Sequence, residues 1–78
     1  MEGTLVDMRI LFRKALEMKA RSFVIAHNHP SGNIEPSNQD IELTRKIRKA
    51  GDTLDIILLD HLVITSHGFY SFADYGIL

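Results

Sequence analysis

The stretch that decides the fold of this chain is SFVIAHNHPSGNIEPSNQD, residues 22–40. It begins with a short apolar run, residues 22–27, whose length and composition predict a buried strand. Proline, glycine and asparagine then interrupt all periodicity over residues 27–33, which predicts a loop. Pro36 and Ser37 follow, and Ser37 is a good N-cap because its hydroxyl can accept a hydrogen bond from a free backbone N–H of the first helical turn. The stretch therefore predicts a strand, a loop and a helix in succession.

Two helices flank the apolar run in the sequence. The first is predicted over residues 7–19, because apolar side chains recur at the spacing of one helical stripe: Met8, Leu11, Phe12, Ala15 and Leu16. The second is predicted from Ser37 to about Ala50. Gly51 is expected to end it, since glycine readily takes the left-handed conformation of a C-cap.

The last third of the chain predicts strands. Residues 56–59 and 62–65 are apolar and partly β-branched, with Asp60-His61 as a bend between them. Residues 66–68 give a turn signal, and residues 69–72 predict a returning strand. The order is helix, strand, helix, strands, which we interpret as one domain over residues 1–78.

Composition narrows the function classes. The chain has 78 residues, 45% of them apolar, and a formal net charge of −1, so neither disorder nor a strongly basic nucleic-acid surface is predicted. It has no cysteine, which excludes disulfides and thiolate metal ligands within this sequence. Its longest apolar runs are too short to span a bilayer, and no signal peptide is recognisable. We expect a soluble, cytoplasmic protein without a membrane partner.

His27, His29 and Asp40 are the candidate metal ligands. In an extended backbone alternate side chains share a face, so the two imidazoles can point at one spot. Asp40 lies in the first turn of the second helix and shares a face with Leu43, Thr44 and Ile47. Three protein ligands would leave a fourth position open, as in a catalytic zinc site. The alternative for Asp40 is a capping box with Ser37, and for each histidine a structural role near a strand end.

Several motifs resemble the RadC-like proteins of the JAB/MPN group, which carry the JAMM motif. The resemblance rests on residues 27–33, on Pro36-Ser37 and Asp40-Ile41, and on three further segments: Gly3-Thr4-Leu5, Leu58-Leu59-Asp60-His61 and Tyr70-Ser71-Phe72-Ala73. It covers nearly the whole chain. The fold that it implies is a cytidine-deaminase-like α/β sandwich of the JAB/MPN type, here lacking its first strands.

The resemblance also implies roles for individual residues. His27, His29 and Asp40 would bind Zn²⁺, and Ser37 would be a catalytic residue that orients the bound water or stabilises the oxyanion. The reaction implied is hydrolysis of a peptide or isopeptide bond. RadC-like proteins also carry a historical label of DNA repair.

The general base of the family, an upstream glutamate, has no counterpart at the matching position. In the family it precedes the Gly-Thr-Leu segment, with which this sequence almost begins. Glu2 is a candidate only by default, and the positions of Glu17, Glu35 and Glu42 do not match. Because loss of a general base costs about 10²–10⁴ in rate, we expect weak or no catalysis. Missing strands would also expose a sheet edge and favour a homo-oligomer.

Two alternative functions remain open at this point. The chain could be a non-catalytic remnant that binds a partner protein, or a DNA-associated module that uses the basic run Arg45–Lys49. For that run a solvated helix face is the plainer interpretation. Asp60-His61 could act as a pair behind the metal ligands, with the carboxylate orienting the imidazole, but a structural role at the bend is favoured. His67 is expected to be solvated in a turn.

Overall fold

The computed structural model describes residues 7–29 and 35–78. Within them the chain forms two helices, α1 (Met8–Glu17) and α2 (Asn38–Thr53), and three strands, β1 (Ser22–Asn28), β2 (Ile57–Thr65) and β3 (Gly68–Ser71). The predicted α/β class and element order are confirmed. The Gly3-Thr4-Leu5 segment, Glu2 and most of the loop after His29 lie outside the described residues.

The three strands form one mixed sheet in the order β1-β2-β3. Strand β1 pairs with β2 in parallel, with α2 as the crossover between them, and β3 returns antiparallel to β2. Both helices contribute to one core cluster on a single face of the sheet, whose buried members are Phe12, Ala15, Ile47, Ile56 and Leu58. The parallel pair brings the C-terminal end of β1 and the crossover helix to the same region, where the candidate ligands lie.

Helix α1 follows its predicted stripe except at one end. Asp7 is the N-cap and accepts a hydrogen bond from the backbone N–H of Arg9. Phe12 and Ala15 are buried, and the Phe12 ring meets that of Phe23 on β1 edge to face, with ring centroids 5.8 Å apart. Leu16 is part of the predicted stripe, but its side chain is 56% exposed, and the buried residues of the helix are Phe12 and Ala15.

Gly51 does not end α2 as predicted. The helix continues through it to Thr53, and the left-handed residue is Asp55, with φ 59°. Gly51 lies inside the last turn, and its carbonyl accepts a hydrogen bond from Ile56 N at 2.8 Å. A Cβ at position 51 would lie 2.3 Å from the Ile56 carbonyl oxygen. Close backbone approach therefore explains the glycine better than a left-handed cap does.

The bend predicted at Asp60-His61 is wrong, because β2 runs without interruption from Ile57 to Thr65. In place of a bend, the register against β1 shifts: Phe23 pairs with Leu58, but Val24 pairs with Asp60. The extra residue on β2 reverses the alternation of its side chains, so that Leu58 and His61 both face the helices. A bulge of this kind re-aims the side chains that follow it.

Strand β1 is only half-buried, against the prediction of a buried strand. Its residues alternate between exposed and partly buried along its whole length, and Val24 is 51% exposed. The helices cover one face of the sheet, and the other face carries Val24, Ile64 and Phe69 into solvent. Over residues 7–29 and 35–78, neither helix combines the length and apolarity needed to cross a bilayer.

Candidate metal centre

His27, His29 and Asp40 converge at the junction of β1 and α2. His27 is on the helix-facing side of β1 and His29 follows the strand, with its backbone N–H bonded to the Ile64 carbonyl at 3.0 Å. This bond extends the parallel ladder past the end of β1, so both imidazoles stay on one face. Asp40, in the first turn of α2, is fully buried opposite them. One ligand atom from each side chain lies within 4.8 Å of the other two.

The distances within this cluster fit one small cation. His29 Nε2 is 3.1 Å from Asp40 Oδ2, and His27 Nε2 is 3.6 Å from Asp40 Oδ1. Zinc bonds of about 2.0–2.1 Å in tetrahedral geometry place neighbouring ligand atoms about 3.3 Å apart. His27 Nε2 is buried and lacks a hydrogen-bond partner among the described residues. Imidazole nitrogen beside a buried carboxylate is a ligand set that suits zinc, so the residues present fit this metal.

Electrostatics favour the protonation states that metal ligands need. Burial lowers the pKa of His27, against the opposing effect of the Asp40 carboxylate. Burial alone would raise the pKa of Asp40, but the hydrogen bonds from Ser37 and the neighbouring His27 and His29 outweigh it and lower that pKa. The cluster therefore holds a carboxylate and a neutral imidazole side by side near neutral pH, which is the form that coordinates a cation.

Asp40 also completes the capping box that the sequence offered as its alternative role. Its backbone N–H donates to Ser37 Oγ at 3.1 Å, and its Oδ2 accepts from the Ser37 backbone N–H at 2.9 Å. The two interpretations of Asp40 are therefore compatible, since Oδ1 still faces His27. The cap fixes the direction of the carboxylate at the start of α2.

His61, which the sequence raised only as an alternative partner behind the metal ligands, touches this cluster. His61 Nε2 is 2.8 Å from His27 Nδ1, and its Nδ1 is 2.6 Å from Thr44 Oγ1. The Thr44 hydroxyl also lies 2.6 Å from the Asp40 carbonyl oxygen, one helical turn earlier. His61 is fully buried and stacked on Phe72, with ring centroids 4.5 Å apart. Burial, followed by the neighbouring His27, lowers its pKa to about 4.

One sequence signal pointed toward this contact. Thr44 lies four residues after Asp40, on the same helical face. A hydroxyl on a buried face needs a hydrogen-bond partner, which indicates that another polar group lies nearby. The sequence could not decide between the two roles weighed for His61, because the orientation of its side chain depends on the bulge in β2.

Asp60 does not orient the imidazole of His61 through its carboxylate. Its Oδ1 accepts from the backbone N–H groups of His61 and Ala73, at 2.7 and 3.0 Å, and its Oδ2 accepts from the Ser71 hydroxyl. These contacts tie β2 to the end of β3 and the turn after it. The structural interpretation of Asp60 is the one that its contacts support.

The remaining candidates lie on the surface. His67 is exposed in the turn between β2 and β3. Arg45 is exposed and pairs with Glu42 at 3.3 Å, which fits the solvated-face interpretation of the basic run. Glu17 pairs with Arg13 at 2.8 Å on the outer side of α1. Neither of these two glutamates is part of the His27–His29–Asp40 cluster.

The fold and the cluster together define a small α/β domain whose strand end and helix start could hold a metal ion. A sequence model of the RadC-like JAB domain family matches residues 1–77. The chain belongs to this family, as its motifs predicted.

Curated relatives agree with this assignment. The chain is 49% identical over 75 residues to the UPF0758 protein of Flavobacterium johnsoniae, covering 96% of this chain and 33% of that protein. It is 46% identical over 76 residues to the UPF0758 protein of Porphyromonas gingivalis, covering 96% and 34%. It is 42% identical over 78 residues to the UPF0758 protein of Rubrobacter xylanophilus, covering 100% of this chain and 34% of that protein. The chain thus spans about a third of the length of these relatives.

Proposed function

We propose that this domain binds a zinc ion through His27, His29 and Asp40, and that the site serves the hydrolysis of a peptide or isopeptide bond. The observation that carries the proposal is the convergence of three ligand atoms within 4.8 Å around a buried carboxylate. The His27 Nε2 atom also supports the proposal, because it is buried and has no hydrogen-bond partner among the described residues. A buried polar atom in this state costs about 1–3 kcal/mol unless a ligand compensates. The family resemblance supplies the reaction class.

Each residue has a distinct part in this proposal. The two imidazoles and the carboxylate hold the cation, which when bound supplies Lewis acidity to a substrate carbonyl. The Ser37 backbone orients the carboxylate through its N–H, which donates to Asp40 Oδ2. We assign to the Ser37 hydroxyl the stabilisation of charge that grows on the substrate oxygen, a contribution of about 10²–10³ in rate for a typical donor.

The His27–His29–Asp40 cluster includes no glutamate from residues 7–29 and 35–78 that could act as a general base. On the surface, Glu17 forms an ion pair with Arg13 and Glu42 forms one with Arg45. Glu35 is exposed. Because the described glutamates lie outside the cluster, we expect hydrolysis by this domain to be about 10²–10⁴ slower than with a general base beside the metal. We therefore expect metal binding to be easier to detect than turnover.

The first test is the zinc content of the purified protein after growth with added zinc, measured by elemental analysis. We expect about one zinc per chain, as three converging ligands provide one site. The double variant His27→Ala/His29→Ala should lose it. His67→Ala is the matched control, because it removes an exposed imidazole outside the cluster and should leave the zinc content unchanged. Equal zinc in the double variant and the wild type would refute the site.

Asp40→Asn separates metal binding from helix capping. Asparagine can still accept the hydrogen bond from Ser37 N, so α2 should begin as before, while the loss of charge should weaken zinc binding by at least about tenfold. Asp52→Asn removes an equal charge from the exposed end of α2 and serves as the control. If Asp40→Asn binds zinc as tightly as the wild type, Asp40 serves only as a cap.

Hydrolysis is tested with a fluorogenic peptide and an isopeptide-linked lysine conjugate, each with and without a chelator. Turnover that the chelator abolishes would support the peptidase proposal. Zinc binding without any turnover would leave a metal-binding domain and remove the catalytic part of the proposal.

A further inference from the structure

A single chain of hydrogen bonds crosses three elements behind the cluster. It starts at the Asp40 carbonyl oxygen, passes through Thr44 Oγ1 at 2.6 Å, and reaches His61 Nδ1 at a further 2.6 Å. From His61 Nε2 it continues to His27 Nδ1 at 2.8 Å. Its last atom is His27 Nε2, which has no hydrogen-bond partner in residues 7–29 and 35–78.

The position of every proton along this chain follows from its first atom. A carbonyl oxygen can only accept, so the single proton of the Thr44 hydroxyl goes to Asp40 O. The hydroxyl oxygen must then accept from His61 Nδ1–H, which leaves Nε2 of a neutral His61 as an acceptor. That acceptor takes the proton on His27 Nδ1. His27 Nε2 is therefore left with its lone pair, directed at the cluster.

The reverse order of protons is less favourable. If the Thr44 hydroxyl donated to His61 instead, His61 Nε2–H would donate to His27 Nδ1, and His27 would carry its proton on Nε2. That N–H would be buried, and its nitrogen lies 3.6 Å from Asp40 Oδ1, too far for a hydrogen bond. A buried unsatisfied donor costs about 1–3 kcal/mol.

Packing prevents the chain of hydrogen bonds from rearranging. His61 is 0% exposed and Thr44 is 2% exposed, so exchange with solvent molecules is blocked at both. Phe72 stacks on the His61 ring at an interplanar angle of 16°, which restrains rotation of the imidazole. The bulge in β2 turns His61 toward the helices in the first place.

We infer that Thr44 and His61 are positioning residues that hold His27 in the tautomer with its proton on Nδ1, so that its Nε2 lone pair is presented to the metal ion. The inference rests on the proposed metal site, because it assigns the ligand atom of His27 in that site. Partners that fix the tautomer of a ligating histidine typically change metal affinity by about 10–100-fold when they are removed.

The direct test is the tautomer of each imidazole in the metal-free wild-type protein, read from long-range proton–nitrogen NMR correlations at about pH 8, above the ordinary histidine pKa. We expect both His27 and His61 to carry their protons on Nδ1. A proton on His27 Nε2 would overturn the inference. This measurement needs no variant and no metal.

The second test is the affinity for Zn²⁺ alone, measured by competition with a chelator. Thr44→Val, which keeps the shape but removes the hydroxyl, should weaken binding by about 10–100-fold and lower the fraction of His27 protonated on Nδ1. Thr44→Ser keeps the hydroxyl, so its affinity for Zn²⁺ should stay within about threefold of the wild-type value. A folded Thr44→Val protein with wild-type affinity would overturn the inference.

Thr53→Val is the matched control for this series. Thr53 lies in the same helix and makes the same bond to the carbonyl four residues earlier, Lys49 O, at 3.0 Å, but on the exposed side. It should leave zinc affinity unchanged. If the wild type shows the expected tautomers but takes up no zinc, the proposed metal site fails while the tautomer assignment stands, so the two failures are distinguishable.

Discussion

Buried polar side chains are concentrated at one place in this small domain. His29, Asp40, Thr44 and His61 are all buried, and each contacts at least one other member of the group. Burying polar groups gains little stability even when they are fully hydrogen-bonded, and much is lost when one partner is missing. Replacing buried charged groups with well-packed apolar side chains is often neutral or stabilising in proteins. The group is therefore better explained by a ligand than by stability.

Asp60 is a residue whose contacts serve stability alone. Its carboxylate accepts hydrogen bonds from one hydroxyl and two backbone N–H groups. Burial alone would raise the pKa of Asp60, but these bonds, with that from Ser71 the largest, lower it below the ordinary value of 3.8. Because the unfolded chain takes up this proton at a higher pH than the folded one, acid favours unfolding through Asp60.

We expect Asp60→Asn to lower the free energy of unfolding by about 1 kcal/mol near neutral pH, since the hydrogen bonds lose their charge. The contribution of Asp60 is fully present well above pH 3.8 and is lost as the pH falls through the lowered pKa. The gap between variant and wild type should therefore close at low pH. Urea unfolding at several pH values measures this. Asp74→Asn, an equal charge change in the following turn, is the control, and a gap independent of pH would contradict the prediction.

At the level of the elements, both helices end in the same way. After α1, Ala20 N donates to Ala15 O at 2.9 Å and Lys19 N donates to Leu16 O at 3.0 Å. After α2 the pattern is the same: Ile56 N donates to Gly51 O, and Asp55 N donates to Asp52 O. These are Schellman motifs, which need a left-handed residue after the helix. Lys19 and Asp55 fill that position with φ of 55° and 59°, at a cost that glycine would avoid.

We expect Lys19→Gly to raise the free energy of unfolding by about 0.5–1 kcal/mol, because the left-handed conformation costs a residue with a Cβ more than it costs glycine. Lys14→Gly, in the interior of α1, removes the same charge where the backbone is helical. It should lower the free energy of unfolding by about 1 kcal/mol. Chemical denaturation of the two variants beside the wild type gives the comparison. Equal destabilisation by both changes would mean that Lys19 is not strained.

Sequence reasoning predicted the helices better than the strands, for a physical reason. Helix starts depend on local caps such as Asp7 and Ser37, which are visible in the sequence. The course of β2 depends on pairing with β1, a distant segment, so the polar pair Asp60-His61 predicts a bend where the strand in fact continues. The same non-local pairing creates the bulge that aims His61 inward. The convergence of the three candidate ligands was predictable from their spacing, whereas the contact of His61 behind them was raised only as an alternative.

At the level of the whole molecule, the helices of the described residues cover one face of the sheet. The outer face carries apolar side chains at two neighbouring cross-strand pairs, Ile64 with Phe69 and Ala26 with Leu62. Phe69 is 61% exposed and Val24 is 51% exposed. Within the described part of the chain, β1 pairs with β2 alone, so its other edge has no partner strand among these residues.

An apolar face beside an open edge is a surface that invites association. We expect this 78-residue chain to self-associate reversibly at concentrations on the order of 100 µM, which corresponds to about −5.5 kcal/mol. Sedimentation at increasing protein concentration measures it.

The double variant Val24→Thr/Phe69→Thr keeps strand-favouring side chains but removes much of the apolar surface, and should shift association to higher concentration. Leu16→Thr is the control, since Leu16 is equally exposed but lies on α1. If Leu16→Thr weakens association as much as the double variant does, the contact lies on the helix. If the protein is monomeric at every concentration, the outer face of the sheet is stable while exposed to solvent, and the prediction is wrong.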